Sequence, residues 1–391
     1  MEFKKVKLSE ISIITMGQSP KSEFYSEIDG TPFLQGNRTF QHIYPVIDTY
    51  TKKVTKLVNA NDILFSVRAP VGDINIAPVD LCIGRGLCAI RSINNNQEFL
   101  FYLLKSKINE LESQATGTIF SSVNKKTLEN FIVNIPNEKQ QKNIGTILSN
   151  LDKKIELNQK IIANLEELSQ TLFKRWFVDF EFPDKNGNPY KSSGGEMIDS
   201  ELGEIPLSWE IQKLNDIFKI NYGKNLPIKK ILNTGYPVFG GNGIIGYYSS
   251  YMYETPKILI SCRGAASGKI HISKEKSFVT NNSIVLDEKK KNYFYYFKEL
   301  YKYNDFKRYS TGSAQPQITI ANIKDLIYLT PDTNIIDLFN SKVSCLFNKK
   351  NNCEDENQKL IQLRDTLLPK LMSGEIEIPD DIEVMEDELS I

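Results

Sequence analysis

KVKLSEISIITMG, residues 5 to 17, returns as IQKLNDIFKINYG at 211 to 223, and the echo keeps its order through the rest of the chain. TPFLQGN (31 to 37) answers YPVFGGN (236 to 242), and NDILFSVRAP (61 to 70) answers PKILISCRGA (256 to 265). ATGTIFSSVNKKTLENFIVNIP (115 to 136) answers STGSAQPQITIANIKDLIYLTP (310 to 331). The offset is 206 for Gly17 and Gly223, 205 for Asn37 and Asn242, and 195 for Arg68 with Arg263 and Pro136 with Pro331. The second copy is therefore about ten residues shorter between its Asn and its Arg. Such a period far exceeds the 20 to 50 residues of solenoid repeats, so each copy can close its own core. Two copies in one chain can imitate a twofold dimer, which suits a ligand with two similar ends.

Within each copy, short β-branched and aromatic runs (ISIITM, DILFSV, ILISCR, SFVTNNSIVL) are punctuated by Gly, Pro and Asn, the pattern of short strands joined by turns. Helical pieces such as QEFLFYLLKSKINELES and NYFYYFKELYK sit among them. The expected fold class is α+β. After Pro136 the character changes: from about Glu138 to Trp176 there is no Pro, and Leu148, Leu151, Ile155, Ile162, Leu165, Leu172 and Trp176 form a heptad seam, with Asn158 and Ser169 filling the remaining steps. A helix of about 39 residues would be roughly 58 Å long. The second copy runs from about Asn334 to Leu368, with Phe339, Val343, Leu346, Cys353, Leu360 and Leu367 on the same spacing and Lys350, Asn357 and Arg364 breaking it. Pro369 is expected to end it. Two such stripes related by a pseudo-twofold predict an antiparallel coiled coil, against the alternative of two amphipathic helices each lying on its own domain. EFPDKNGNPYKSSGGEMIDSELGEIP (181 to 206) reads as a linker with turns.

The 391 residues are 40% hydrophobic and 25% charged, with 21 Phe and 18 Tyr, as in a soluble globular protein. No apolar run reaches membrane-spanning length and the N-terminus lacks a signal-peptide core, so the expected location is the cytoplasm, with no membrane partner. Cys82, Cys88, Cys262, Cys345 and Cys353 form no C-x-x-C pair, and with only His42 and His271 beside them no metal site is expected. They read as buried thiols. The net charge of zero conceals an asymmetry: Glu375 to Ile391 holds eight acidic residues and no basic one, leaving +8 on everything before it. Residues 206 to 333 hold 18 Lys and Arg against 10 Asp and Glu, again +8. A basic domain suits a polyanionic partner or simply a lysine-rich solvated surface, so charge alone leaves both open.

A search for catalytic chemistry mostly eliminates. RGAASGKI (263 to 270) has phosphate-loop flavour, but Gly264 and Gly268 enclose only three residues and Ile270 stands where a magnesium-binding Ser or Thr is needed. FGGNG (239 to 243) lacks the acidic residue a dinucleotide site wants and reads as a turn. Two histidines give little material for a nucleophile relay. No catalytic residue and no cofactor of its own are expected. What remains is recognition chemistry: Arg reads guanine and Asn or Gln reads adenine in the major groove, while Ser, Thr, Lys and backbone amides take phosphates. The first repeat offers Gln18, Ser19, Gln35, Asn37, Arg38, Arg68, Arg85 and the run Ser121 to Lys126 with Lys125 and Lys126. The second offers Lys224, Asn225, Asn242, Arg263, Lys269, Asn281, Asn282, Gln315 and Gln317. Any single one can equally be a turn or surface residue, and Arg68 can pair with Asp73; recurrence at equivalent places is what points the group toward DNA.

Each repeat closes with Thr-Gly, then Leu128 or Ile323 eleven positions after the Gly, then Pro136 or Pro331 eight further on. This order, with TLFKRWFVDFEFP after the first helix, the join LGEIPLSWEIQKLNDI and a final LRDTLLPKLMSGEI, resembles the specificity subunits of type I restriction-modification systems over nearly the whole chain. Ser208 stands where a glycine is common before Trp209, and Asn137 where such segments often continue with a second proline. The resemblance implies a first target-recognition domain at 1 to 137, a conserved helical region at 138 to 180, a linker at 181 to 205, a second target-recognition domain at 206 to 333, a second helical region at 334 to 376 and an acidic tail at 377 to 391. It implies that each domain reads one half of a split double-stranded DNA site and that the helices set the spacing. The helices would dock two modification subunits that bind S-adenosylmethionine and methylate adenine, with a restriction subunit adding translocation and cleavage. Leu165, Leu172, Phe173, Trp176, Phe177, Leu367 and Leu371 are the expected docking residues. A competing reading is a non-catalytic adaptor whose basic domains bind other proteins.

Overall fold

The computed structural model describes residues 2–114, 122–289, 292–303, 306–312 and 315–379. Ser121, the first repeat's Thr-Gly and the tail from Asp380 onward lie outside the described residues. The chain divides into two compact units, residues 1–160 with 353–391 and residues 161–352, so each long helix is shared between them.

In the first unit the strands Lys4–Lys7 and Ile132–Ile135 pair antiparallel and tie the start of the repeat to its end. A four-stranded antiparallel sheet follows in the order Ser12–Met16, Leu87–Ser92, Ile63–Ser66, Ile74–Ile76. The second unit repeats both features: Glu210–Lys213 pairs with Ile327–Thr330, and a sheet runs Phe218–Tyr222, Ser283–Glu288, Ile258–Ser261, Ile270–Ile272. Ile63–Ser66 and Ile258–Ser261 are buried along their whole length, so three apolar side chains lead in each and the closing serine, also buried, gives its hydroxyl to a nearby backbone carbonyl. The second sheet differs. The first unit has five short strands there, including Tyr50–Thr51 and Leu57–Val58; the second has three, with the hairpin Tyr236–Gly240 and Gly243–Tyr248. That is where the shorter copy loses its residues. The expected helices are present as Gln97–Ser106, Ile108–Ser113 and Phe294–Leu300. The α+β expectation holds.

The long helices are Glu138–Phe173 and Thr333–Ser373. In the first unit they run antiparallel: the Arg364 guanidinium meets the Asp152 carboxylate at 2.5 Å, and Asn158 donates to Asn357 Oδ1 at 2.9 Å. In the second unit Lys350 pairs with Glu166, and Trp176 and Phe177 pack on Phe339 with ring centroids 6.0 and 4.8 Å apart, again in antiparallel sense. The residues that break the heptad are thus partnered. Lys350, Asn357 and Arg364 each find a polar mate on the other helix, the arrangement by which buried polar groups fix register.

Several expectations are corrected. Pro369 sits inside the second helix, which continues to Ser373. Leu371 is 2% exposed and packs in the first unit's core with Leu367, Leu368 and Met372 against it, so burial of the last turn offsets the hydrogen bond a proline removes. Gly374, at φ +77°, turns the chain out beside the Phe3 ring. The first helix ends in a π-helical turn, Lys174–Val178, before Trp176 can close a regular heptad. Along both helices Leu151, Ile162, Leu346 and Leu360 are only half-buried, because a straight helix at 3.6 residues per turn drifts off a 3.5 repeat. The linker holds a hairpin, Met197–Ser200 with Gly203–Pro206, and Phe182 stacks between Tyr190 and Trp209 at 4.5 and 5.0 Å. Cys345 is exposed, on the outer side of its helix, while the other four thiols are buried.

Candidate nucleic-acid interface

In the first unit, backbone hydrogen bonds draw separate loops to one edge. Gly17 N donates to Leu87 O at 2.9 Å, and Gln18 N to Ile83 O at 3.0 Å. Arg85 N donates to Ser19 Oγ at 3.1 Å, Gly86 N to Gln35 O at 3.2 Å, and Val67 N to Gly86 O at 3.0 Å. The chain of contacts ends with Val123 N on Val67 O, at 3.0 Å. Gln18, Ser19, Gln35, Arg68 and Arg85 are thereby neighbours, with the Asn124-capped turn that carries Lys125 and Lys126 beside them. Glycine is required at this crossing. A Cβ on Gly17 would run into the Gly84 carbonyl, and one on Gly84 would lie 2.7 Å from the Gln35 side chain.

The polar side chains differ in freedom. Arg38 is spoken for by Asp48, with two hydrogen bonds of 2.9 and 2.7 Å, and the Arg38 contact holds the Asp48 carboxyl below its ordinary range. Asn37 donates to Asp73 at 2.5 Å, so the carboxylate that could have paired Arg68 serves Asn37 instead. Lys125 pairs with Glu129 at 3.5 Å, and Gln35 accepts from Tyr25 at 3.2 Å. Arg68, Arg85 and Lys126 are exposed, and no described ion pair holds them. Exposed side chains on a rigid edge are what a macromolecular ligand can reach.

The second unit builds the same edge with different residues. Gly223 N donates to Ser283 O at 3.0 Å and Lys224 N to Val279 O at 2.9 Å; a Cβ on Gly223 would run into the Val279 and Thr280 carbonyls. Cys262 N donates to Asn282 O at 3.0 Å, and Ser261 Oγ donates to Gly241 O. Lys224, Asn281, Asn282, Arg263 and Gln317 are brought together this way, and Asn242 joins through Lys269, whose ammonium lies 3.2 Å from its Oδ1. Asn225 and Gln315 are exposed on the flanking turns. Sequence reasoning missed Lys307 and Arg308. Gly268 is packed so closely on the backbone of Lys307 that a Cβ would sit 2.5 Å from its nitrogen, and the Arg308 guanidinium lies 4.8 Å from the Tyr309 ring centre. A basic pair followed by an aromatic was the available signal.

The expected docking residues divide. Phe173, Trp176 and Phe177 are at most 5% exposed and form the second unit's core with Tyr296, Phe339 and Trp209; Leu371 is in the first unit's core. The expectation that they form an exposed apolar patch does not hold: their side chains are buried within the chain itself. Leu165, Leu172 and Leu367 are half-buried. Exposed apolar residues of the helical regions include Leu168 (57%) and Leu363 (46%), each the second leucine of L-x-x-L-x-x-T-L, at 165 to 172 and 360 to 367.

Among the described residues there is no cluster able to hold a metal, and no helix is long and apolar enough to cross a membrane. Residues 1–167 and 206–335 match the family described as type I restriction modification DNA specificity domain. The chain belongs to this family. It is 27% identical over 410 residues to the type I restriction enzyme MjaIX specificity subunit of Methanocaldococcus jannaschii, covering 96% of this chain and 93% of that one. A putative MjaX specificity subunit from the same organism is 43% identical over 162 residues, 41% of this chain and 38% of the relative. The crystal structure of a type I restriction-modification S subunit from M. genitalium shares the fold, with a TM-score of 0.74 over 97% of both chains at 20% identity. The chain is a type I specificity subunit with both copies of the family's domain.

Proposed function

We propose that each repeat of this specificity subunit reads one half of a bipartite DNA site, 1 to 137 and 206 to 333 acting as the two target-recognition domains. Gln18, Ser19, Gln35, Arg68, Arg85 and Lys126 face one half-site and Lys224, Asn225, Asn242, Arg263, Lys269, Asn281, Asn282, Gln315 and Gln317 the other. Asn37, Arg38 and Lys125 are held by carboxylates in the free protein and contact DNA only after exchanging those partners. The observation that carries this reading is the recurrence, in both units, of a glycine-locked crossing of loops with an exposed arginine on it.

The helical regions 138 to 180 and 334 to 376 set the spacer and dock two modification subunits, through Leu168 and Leu363 with their half-buried neighbours Leu165, Leu172 and Leu367. Those subunits bring S-adenosylmethionine and the adenine methylation, and a restriction subunit brings translocation and cleavage, in the cytoplasm. The chain itself carries no catalytic group. Mapping methylated adenines in a host that carries the modification subunits, with and without this chain, tests the reading: a bipartite motif that depends on the chain is expected, and a monopartite or unchanged motif would sink it.

A further inference from the structure

Pro32 and Pro237 hold matching places in the two repeats and pair across matching hairpins, Pro32 with Tyr50 and Pro237 with Tyr247. The connections between the paired strands differ. In the second repeat only Gly241 and Asn242 separate Tyr236–Gly240 from Gly243–Tyr248, whereas in the first the chain travels from Gln35 to Thr49 between Thr31–Leu34 and Tyr50–Thr51. This excursion carries Gln35, Asn37 and Arg38, and the Arg38–Asp48 pair closes its neck at 2.7 Å.

Its far end is fastened. Gln41 N donates to Asn75 Oδ1 at 3.1 Å, Asn75 Nδ2 donates back to Gln41 O at 2.8 Å, and Ile76 N donates to Ile43 O at 2.8 Å, so the edge strand Ile74–Ile76 holds the backbone. Ile43 is buried in the first unit's core. His42 reaches further: its Nε2 lies 3.0 Å from Asp152 Oδ1 on the first long helix and 3.3 Å from the Arg364 guanidinium on the second. An ionised carboxylate only accepts, so Nε2 carries the hydrogen. Without His42, Asp152 still has Arg364 at 2.5 Å and the Tyr102 hydroxyl at 2.7 Å. What His42 adds is a charge-assisted tie from the excursion to the helices. For Arg38 to meet a phosphate or a base it must leave Asp48, which opens the neck, and the fastenings at the far end are then what keep its backbone in register.

We propose that His42 is a positioning residue for the first half-site: it ties the excursion that presents Arg38 to the long helices, so that contact with DNA is not spent on ordering the loop. The inference rests on the reading in which each repeat takes one half-site. The second repeat, with only Gly241 and Asn242 to hold, needs no such tie and serves as the internal control.

The test titrates the full chain, assembled with its modification subunits, on three duplexes: the bipartite site recovered by methylome mapping, and the same duplex scrambled in its first or its second half. His42→Asn keeps a polar side chain but falls short of Asp152, while His42→Gln places an amide nitrogen where Nε2 stands. The asparagine variant should bind the intact duplex, and the one scrambled in the second half, about tenfold more weakly than wild type, the worth of one charge-assisted hydrogen bond. On the duplex scrambled in the first half it should match wild type, because there the excursion has nothing to read. His42→Gln should recover most of the loss. His42→Leu, which removes the donor with an apolar side chain, gives the same comparison if the asparagine variant does not fold. Equal losses on all three duplexes, no loss on any, or a glutamine variant as weak as the asparagine one would overturn the proposal. Wild-type binding that ignores scrambling of the first half would instead sink the half-site reading, and this inference with it.

Discussion

Arg263 and Gln317 face each other across an isolated antiparallel bridge, as Arg68 and Ser122 do at the equivalent positions of the first repeat. The backbone at both arginines is thus pinned by its neighbour strand while the side chain stays exposed. A guanidinium on a fixed backbone is pre-organised for bidentate contact with guanine or for a phosphate.

Arg68→Ala should weaken binding at the half-site read by the first repeat, and Arg263→Ala at the other. The cost should be about 1 to 3 kcal/mol for a base contact, or a smaller salt slope with little selectivity change for a phosphate contact. Titrating each variant against duplexes scrambled in one half-site at a time measures this. Losses by both variants through the same half-site would end the assignment of one repeat to one half.

Asp152 gives the first unit a specific acid sensitivity. Burial, the largest influence, would raise its carboxyl, but the hydrogen bond from His42, the Lys105 ammonium and the Arg364 guanidinium outweigh it and hold the pKa at about 2. A carboxyl depressed on folding contributes stability that is fully present above its unfolded pKa, near 4, and lost as pH falls toward 2. About 2 kcal/mol should disappear over that window. Urea unfolding at pH 5, 4 and 3 should show the wild type converging on Asp152→Asn as pH falls; parallel curves would show that Asp152 carries no such linkage.

The aromatic and leucine residues of the helices should separate cleanly. Phe173→Ala opens the second unit's core and should cost about 3 to 5 kcal/mol. Leu168→Ser and Leu363→Ser, on the exposed face, should stay within about 0.5 kcal/mol of wild type yet lose co-elution with modification subunits. Thermal unfolding beside size-exclusion assembly distinguishes the two. Normal assembly by the double leucine variant would remove these residues from the docking surface.

The sequence made some of this legible and hid the rest for physical reasons. Strands such as Ile63–Ser66 and Ile258–Ser261 were visible because a strand buried on both faces needs a run of apolar residues, and the loop edge was visible because glycine alone survives where Gly17 and Gly223 cross another backbone. The partners of Lys350, Asn357 and Arg364 were not, since each mate lies roughly two hundred residues away and only the fold supplies the register. Phe173, Trp176 and Phe177 looked like a surface because an aromatic run at a helix end has no period to tell inside from outside. Pro369 looked like a stop because local rules omit the burial of Leu371 beyond it.

The register of the polar pairs also fixes how a test of the spacing role must be built. Removing 161 to 164 from the first helix alone would carry Glu166 out of reach of Lys350 while Asn158 stayed on Asn357. Removing 352 to 355 from the second helix as well keeps both pairs, because the two segments lie between the same pairs on opposite strands of the seam. The matched deletion shortens each helix by about 6 Å, at most about two base pairs at roughly 3.4 Å each, and adds a rotation of about 40°. The loops that read DNA are untouched, so methylome mapping should return both half-sites unchanged with a spacer shorter by one or two base pairs. An altered half-site, or full activity with the original spacer, would show that the helices do not set the distance.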